Sequence, residues 1–319
     1  MGLIAALAVL FHTAALARET EIIAQEPDPL VIRDPDVRDA IRDSKKPWKI
    51  RDKATGIDFL LIPQGASYIG ANEDDAVASP DEKPRFHVTS SKPYYMAETE
   101  VTFGQWRATL GNQAHGIEPL GGFVIDADNQ PVVMVSWNAV NLWCTARGWR
   151  LPDEREWEYA ARGRINAIRP TTWTWGDSPR DGSGHGNFPD LTARKIEPGW
   201  DVFPFEDGFT ASAPVRSFQA NAFGLHDMTG NVAEWCANAY DARAYVAWAK
   251  LRGLRAVGRH TAEPTASKVT AEDPTPMIKH TVRGGAWYPP YSACRSSYRW
   301  GHVALTELAT IGFRPVRDT

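Results

Sequence analysis

Cysteine is scarce in this chain: 319 residues hold only Cys144, Cys236 and Cys294. So small and odd a set excludes a disulfide-stapled scaffold and allows at most one internal bridge with one thiol left over. A dominant charge of one sign is also missing. The formal net charge is −4 and no basic stripe occurs, which argues against nucleic acid as a partner. The eight histidines form no H-x-H or H-x-x-x-H pair, so spacing gives little support to a dedicated zinc or iron site. There is no G-x-S-x-G elbow, P-loop or dinucleotide fingerprint. No fixed-period repeat is visible. The apolar run Leu3–Phe11 is too short to span a bilayer, so no membrane span is expected.

The chain is instead rich in tryptophan (13), glycine (25) and proline (23), a mixture that predicts irregular loops anchored by bulky side chains rather than a helical bundle. The mixture is densest in Asn221–Tyr240 (NAFGLHDMTGNVAEWCANAY) and Val282–Trp300 (VRGGAWYPPYSACRSSYRW). There, glycines supply unusual backbone angles, tryptophans fill volume, and Asn, Asp and Arg fix the loops.

In chain order, Leu3–Phe11 followed by Ala15-Leu16-Ala17 has the pattern of a cleaved signal peptide over 1–17, and export to the periplasm or beyond is the expectation. Residues 18–53 are polar and read as a linker or N-terminal arm, with a helical turn or two around Asp36–Asp43. The globular unit spans 54–319. It opens with a strand at Ile57–Ile62, a turn, a returning arm at Ser67–Gly70 and a further strand at Arg85–Thr89. Ser136 is placed to cap a helix carrying Trp137, Val140, Trp143 and Cys144, ended by Gly148. Asp153 and Glu156 form a capping pair for a second helix, stopped at Gly163. From Arg164 to Ala220 periodicity vanishes, and so long an irregular run needs an organiser, an ion or a function. Residues 241–279 read as an insertion whose first part, Ala242–Leu254, has helical patterning.

Eight motifs, in order, resemble the formylglycine-generating enzyme (sulfatase-modifying factor) domain family: IPQGASYIGAN, ETEVTFGQW, PVVMVSWNAVNLWC, RLPDEREWEYAARG, GLHDMTGNVAEW, VRGGAWY, CRSSYRW and IGFRPVR. The resemblance implies a loop-rich α/β fold of the C-type-lectin type, stabilised by calcium. It does not fix the reaction, because such families also hold siderophore-maturation oxidases of the periplasm, domains of sulfoxide synthases, and binding or scaffolding proteins.

Calcium takes six to eight oxygens, often carbonyls mixed with carboxylates. The resemblance implies one site from Asn187, the Phe188 carbonyl, Asp207 and the Phe209 carbonyl. A second would use Asp227, the Gly230 and Val232 carbonyls, and Glu234. The family's copper chemistry resembles oxidation at two thiols patterned G-G-S-x-x-C-x-x-x-x-C. Aligned on Gly284-Gly285, the serine position holds Ala286, the first cysteine position Pro289 and the second Cys294. Proline supplies neither thiol nor ligand, so Cys294 alone is left as a catalytic candidate, and no copper centre is expected. For an exported chain a Cys236–Cys294 disulfide is the preferred reading, with Cys144 a buried small hydrophobe.

Arg283, Arg295, Arg299 and Arg314 are expected to stack on aromatics and satisfy loop groups rather than hold a substrate carboxylate. Trp235, Trp287, Tyr288, Tyr291, Arg295 and Trp300 are the expected ligand cleft, suited to a peptide, protein or small-molecule partner. These points lead to an exported, calcium-stabilised binding or accessory module. The alternatives are a periplasmic oxidase-like enzyme for a peptide or siderophore-type substrate, or a copper-dependent formylglycine-generating oxidase.

Overall fold

The computed structural model describes residues 19–110, 125–250 and 278–319. The expected signal peptide and the greater part of the insertion lie outside the described residues. A five-stranded sheet has the order β1 (Thr20–Ala24), β2 (Lys49–Asp52), β3 (Asp58–Ile62), β6 (Tyr94–Ala97) and β11 (Val316–Asp318), antiparallel throughout. A second sheet has the order β10 (Ile311–Gly312), β7 (Ala233–Ala239), β8 (Lys279–Arg283) and β9 (Trp300–Val303). A separate hairpin joins β4 (Gly65–Ile69) to β5 (Phe86–Ser90).

β3 reads DFLLI and every residue in it is buried, as a strand covered on both faces must be. The polar stretch before it is not an arm. Its two short strands continue the large sheet, and α1 (Pro35–Asp43), capped by Asp34, inserts Val37 and Ile41 into the core. The low apolar content of 18–53 concealed this, because two short strands added to the side of a sheet need few buried side chains.

Three further helices match their sequence signals to different degrees. α2 covers Phe103–Leu110. α3 (Trp137–Ala146) buries Val140, Trp143 and Cys144; the Ser136 side chain makes no capping bond, but Gly148 ends the helix as expected, at φ 65° just beyond the Arg147 cap, with Gly148 N donating to the Thr145 carbonyl and Trp149 N to the Cys144 carbonyl. α4 (Glu154–Arg162) follows its signals closely: Asp153 and Glu156 complete the reciprocal capping box, and Gly163 takes the left-handed conformation at φ 60°.

The long irregular run contains only a 3-10 turn at Pro179–Gly182 and the one-turn α5 (Leu191–Arg194). Its organiser is partly aromatic. Trp173, Phe188, Phe203 and Cys294 form a buried cluster, with Trp175, Phe205 and Tyr291 packed on it. The start of the expected insertion is integral to the fold: α6 (Ala244–Lys250) presses Tyr245 against Phe86 of β5.

Buried ion pairs fasten the second sheet and its loops to α4 and to the 3-10 turn Pro80–Glu82. Arg283 meets Glu158 at 2.5 Å and Arg299 meets Glu154 at 2.7 Å. Arg295 makes a two-pronged contact with Glu82 at 2.6 and 2.7 Å. Arg283 also lies over the Trp157 ring, and Arg299 over Tyr245. A buried guanidinium is tolerable only when a carboxylate and further acceptors satisfy it, and these three junctions supply both.

Candidate functional site

Asn231 is the hub of the Asn221–Tyr240 segment. Its N–H donates to the Asn187 carbonyl (2.6 Å) and its carbonyl accepts from Trp287 N (2.9 Å). Its side-chain oxygen accepts from Ala213 N and from the Asn187 amide, while its own amide donates to Glu100. One residue thus joins four stretches of chain, and it holds φ 54° to do so. Gly230 beside it has φ 81°, and a Cβ there would collide with the Asn187 carbonyl oxygen and the Phe188 ring.

Around this hub, buried acceptor oxygens outnumber the donors aimed at them. Asp227, itself at φ 58°, accepts from Arg216 N through Oδ2 (2.9 Å), but its buried Oδ1 has no partner. Glu100 Oε2 is likewise buried and unpartnered, 4.0 Å from Arg314. Burial, reinforced by nearby Asp227 and Glu234, holds the Glu100 carboxyl well above its ordinary range; burial, with Glu234 close by, raises that of Asp227. Glu234 differs. It binds Arg314 at 2.7 Å and accepts from Trp157 Nε1 at 2.7 Å, so both its oxygens are already engaged. Gly230 and Val232 lie buried in the same turn.

The other expected ligand set is about the next loop. Asn187 is fully buried; its amide is used, and its Oδ1 is unpartnered. Asp207 accepts from Phe188 N through Oδ2 (2.7 Å) and from Phe209 N through Oδ1 (2.8 Å). Burial, together with neighbouring Asp190, pushes Asp207 up to about 7. Asp190 also caps α5 and accepts from Asp207 N. Among the described residues no group of three or more His, Cys, Asp or Glu is arranged to hold a metal. A cation in either place would therefore rest largely on carbonyl and amide oxygens, the donor type that suits calcium.

Cys294 ends the 3-10 turn Tyr291–Cys294 and is fully buried. Its thiol points at the Ala286 carbonyl (3.6 Å), and burial pushes its pKa up to about 12. Gly285, at φ 68°, permits this approach, since a Cβ there would lie 2.7 Å from the sulfur. The expected Cys236–Cys294 bridge is not formed. All three cysteines are free, and Cys236 and Cys144 pack in the main core while Cys294 packs in the aromatic cluster. Cys236 sits in β7 and Cys294 at the end of a 3-10 turn, each in a different buried cluster, which sequence separation could not reveal.

The expected aromatic cleft also dissolves into separate parts. Trp235 is fully buried with Nε1 donating to the Val135 carbonyl, and Trp287 is core as well. Tyr288 and Trp300 are 49% and 44% exposed, at different places. Tyr291 and Arg295 instead border a cavity of about 390 Å³, whose walls include Asp74, Asp75, Asp177 and Trp173. Arg295 is locked to Glu82 there and is not free for a ligand carboxylate.

The model of the sulfatase-modifying factor enzyme 1-like domain matches residues 46–319. The chain belongs to this family. Within the sulfatase-modifying factor family, the formylglycine-generating enzyme of Thermomonospora curvata is 33% identical over 218 residues, 67% of this chain and 64% of that protein. The Streptomyces coelicolor enzyme is 31% identical over 199 residues, 53% of its length, so the chain spans less than two thirds of either relative. An inactive Cα-formylglycine-generating enzyme 2 of Bos taurus is 41% identical over 113 residues, 35% of this chain and 34% of that protein. Among solved structures, PvdO from Pseudomonas aeruginosa aligns with a TM-score of 0.62 at 24% identity, covering 85% of this chain and 98% of that one. Treponema denticola variable protein 1 aligns at 0.55 and 18% identity, covering 82% and 95%. The fold is the loop-rich, C-type-lectin-like α/β fold of this family.

Several residues that organise the site of this sulfatase-modifying factor domain escaped the sequence reading: Glu82, Glu100, Asp190 and Asn231. Asn231 stood inside a quoted motif, but its partners come from four distant segments. Glu100 carried a weak signal, an acidic residue just ahead of Val101 and Phe103 in ETEVTF.

Proposed function

We propose that this domain is a calcium-stabilised binding or accessory module, exported from the cytoplasm, that does not make formylglycine by the two-thiol route. One observation carries the reading. Where the family pattern has a pair of thiols, this chain has Pro289 and a single Cys294, which is sealed under Trp173, Phe188 and Phe203. Two thiolates are what hold Cu(I) in that chemistry, and a thiol held near 12 is protonated at neutral pH. The similarity to a relative named inactive agrees with this, though it covers only a third of the chain.

The residues present fit calcium. Asn187 Oδ1, Asp227 Oδ1 and Glu100 Oε2 are buried oxygens without donors, and a buried acceptor left unmatched costs roughly 1–3 kcal/mol. Asn187, Asp207 and the Phe188 and Phe209 carbonyls would hold one ion; Asp227 and the Gly230 and Val232 carbonyls, with Glu234 at their edge, would hold another. A bound ion there supplies charge balance and rigidity rather than reactivity. The cavity beside Tyr291 is the proposed seat of a peptide or small polar ligand.

The test is direct. The purified protein is analysed for bound calcium and copper, and oxygen consumption is followed with cysteine-containing peptides and supplied Cu(I). Bound calcium with no turnover is expected. Turnover abolished by Cys294→Ser would overturn the proposal.

A further inference from the structure

Along the chain the histidines show no metal-ligand spacing, yet the second sheet sets two of them face to face. The β8–β9 register places His280 directly opposite His302. Directly opposed residues of an antiparallel pair project from the same face, with β-carbons roughly 4.5–5.5 Å apart. By strand alternation that face also carries Val282 and Trp300, and Trp235 stands opposite Val282. Trp137 of α3 covers it, its indole stacked on the His280 ring with centroids 3.6 Å apart and planes 15° apart. His302 lies 4.2 Å from the Trp300 ring centre.

The nitrogens have defined roles. A carbonyl can only accept, so His280 Nδ1, 3.3 Å from the Ala237 oxygen, donates, and the Asn238 backbone lends the ring a further hydrogen bond. Metal-bound histidines are oriented in this manner, the far N–H held by a backbone carbonyl. His302 Nε2 is buried and has no hydrogen-bond partner. Burial lowers the pKa of both rings, with Lys279 adding to the effect at His302, which favours the neutral, metal-binding form. Both side chains remain partly open to solvent, which gives an ion a way in.

We propose that His280 and His302 form a two-imidazole site for a divalent first-row transition-metal ion, with water filling the remaining positions. Metal–imidazole bonds are about 2.0–2.1 Å, so the two nitrogens need to come within roughly 3–4 Å, which two imidazoles on facing β-carbons reach by side-chain rotation. Neutral nitrogen donors favour Cu²⁺ over Zn²⁺ and exclude hard calcium, which separates this site from the oxygen-rich loops around Asn231. With two protein ligands the ion is exchangeable rather than structural.

The full chain, with calcium present, is titrated with Cu²⁺ while tryptophan emission is followed, because Trp137 and Trp300 lie against the two rings. One equivalent is expected to quench emission, to show couplings from two imidazole nitrogens in the electron paramagnetic resonance spectrum, and to be displaced by excess Zn²⁺. His302→Asn and His280→Asn should each weaken binding at least tenfold with unchanged near-UV circular dichroism. His302→Asn alone keeps the test decisive should the stacked His280 be needed for folding. Unaltered affinity in that variant, or a spectrum with fewer than two nitrogens, overturns the proposal.

Discussion

The surroundings of Cys294 and those of Asn231 are neighbours in the fold and opposites in their chemistry. Near Cys294 the acceptors are closed off: Glu82 accepts from both Arg295 and Ser297, and the thiol faces a carbonyl beneath stacked rings, so the unpartnered atoms left there, Trp173 Nε1 and Ser296 Oγ, are an indole N–H and a hydroxyl. Near Asn231 the account is left open: one oxygen each of Asn187 and Asp227 has no hydrogen-bond partner, and that of Glu100 has only Arg314 at 4.0 Å. Both regions belong to the motifs that define the family. The first has the composition of a packing element, the second that of a receptor for positive charge. A thiol can therefore be shut away in one loop while acceptor oxygens stay unmatched in the loop beside it.

The largest way to break this contrast is to unpair the closed region. Glu82→Ala leaves the buried Arg295 with only the longer contact to Asp75 at 3.6 Å and should cost about 3–5 kcal/mol, read as a fall in the denaturant midpoint. An unchanged midpoint would mean that water reaches Arg295. Gly230→Ala comes next. Its methyl would strike the Asn187 carbonyl at φ 81°, so it should destabilise the protein by roughly 1–3 kcal/mol for the backbone strain alone; the matching substitution in open space, Gly56→Ala, should cost less, because only its φ of 69° is unfavourable.

The open region should show a distinctive response to pH. Asp207 has a folded pKa of about 7, above the usual carboxylate value, because burial and Asp190 oppose its charge. The native state then binds more protons than the unfolded state between about pH 4 and pH 7, so calcium-free protein should lose stability as pH rises through that window. Saturating calcium should flatten or reverse the slope. Thermal melts at pH 5 and pH 7, with chelator and with calcium, measure the difference; parallel slopes would count against an ion at Asp207. The smallest effect concerns reactivity. With thiols held far above neutral pH by burial, native protein at pH 7.5 should resist alkylation, while denatured protein should yield all three cysteines. Rapid labelling of Cys294 in the native state would show that the aromatic cover opens.

Much of this was legible in the sequence where the cause was local. The Asp153–Glu156 box and Gly163 announced α4, because a capping bond and a left-handed glycine are decided within one turn. The ordered motifs announced the fold. What escaped was decided across the chain. Asn231 binds partners from four segments, and Glu82 lies more than two hundred residues from Arg295. Residues 18–53 resembled an arm because two short strands added to the side of a sheet require little apolar sequence. The tryptophans were misassigned to one cleft because composition cannot distinguish an indole that lines a surface from one, such as Trp235, that fills the core.

The buried Arg–Glu junctions carry a consequence in terms of electrolytes. Added salt shortens the Debye length from about 10 Å at 0.1 M to about 3 Å at 1 M, but it screens only charges that ions can approach. Arg283 with Glu158, Arg299 with Glu154 and Arg314 with Glu234 are almost wholly withdrawn from water. The framework is thus insulated from ionic strength, whereas the exposed pairs, such as Arg42 with Glu26, are not. The same scaffold can stand unaltered in dilute and in concentrated surroundings, leaving its outer charges free to respond to whatever lies outside.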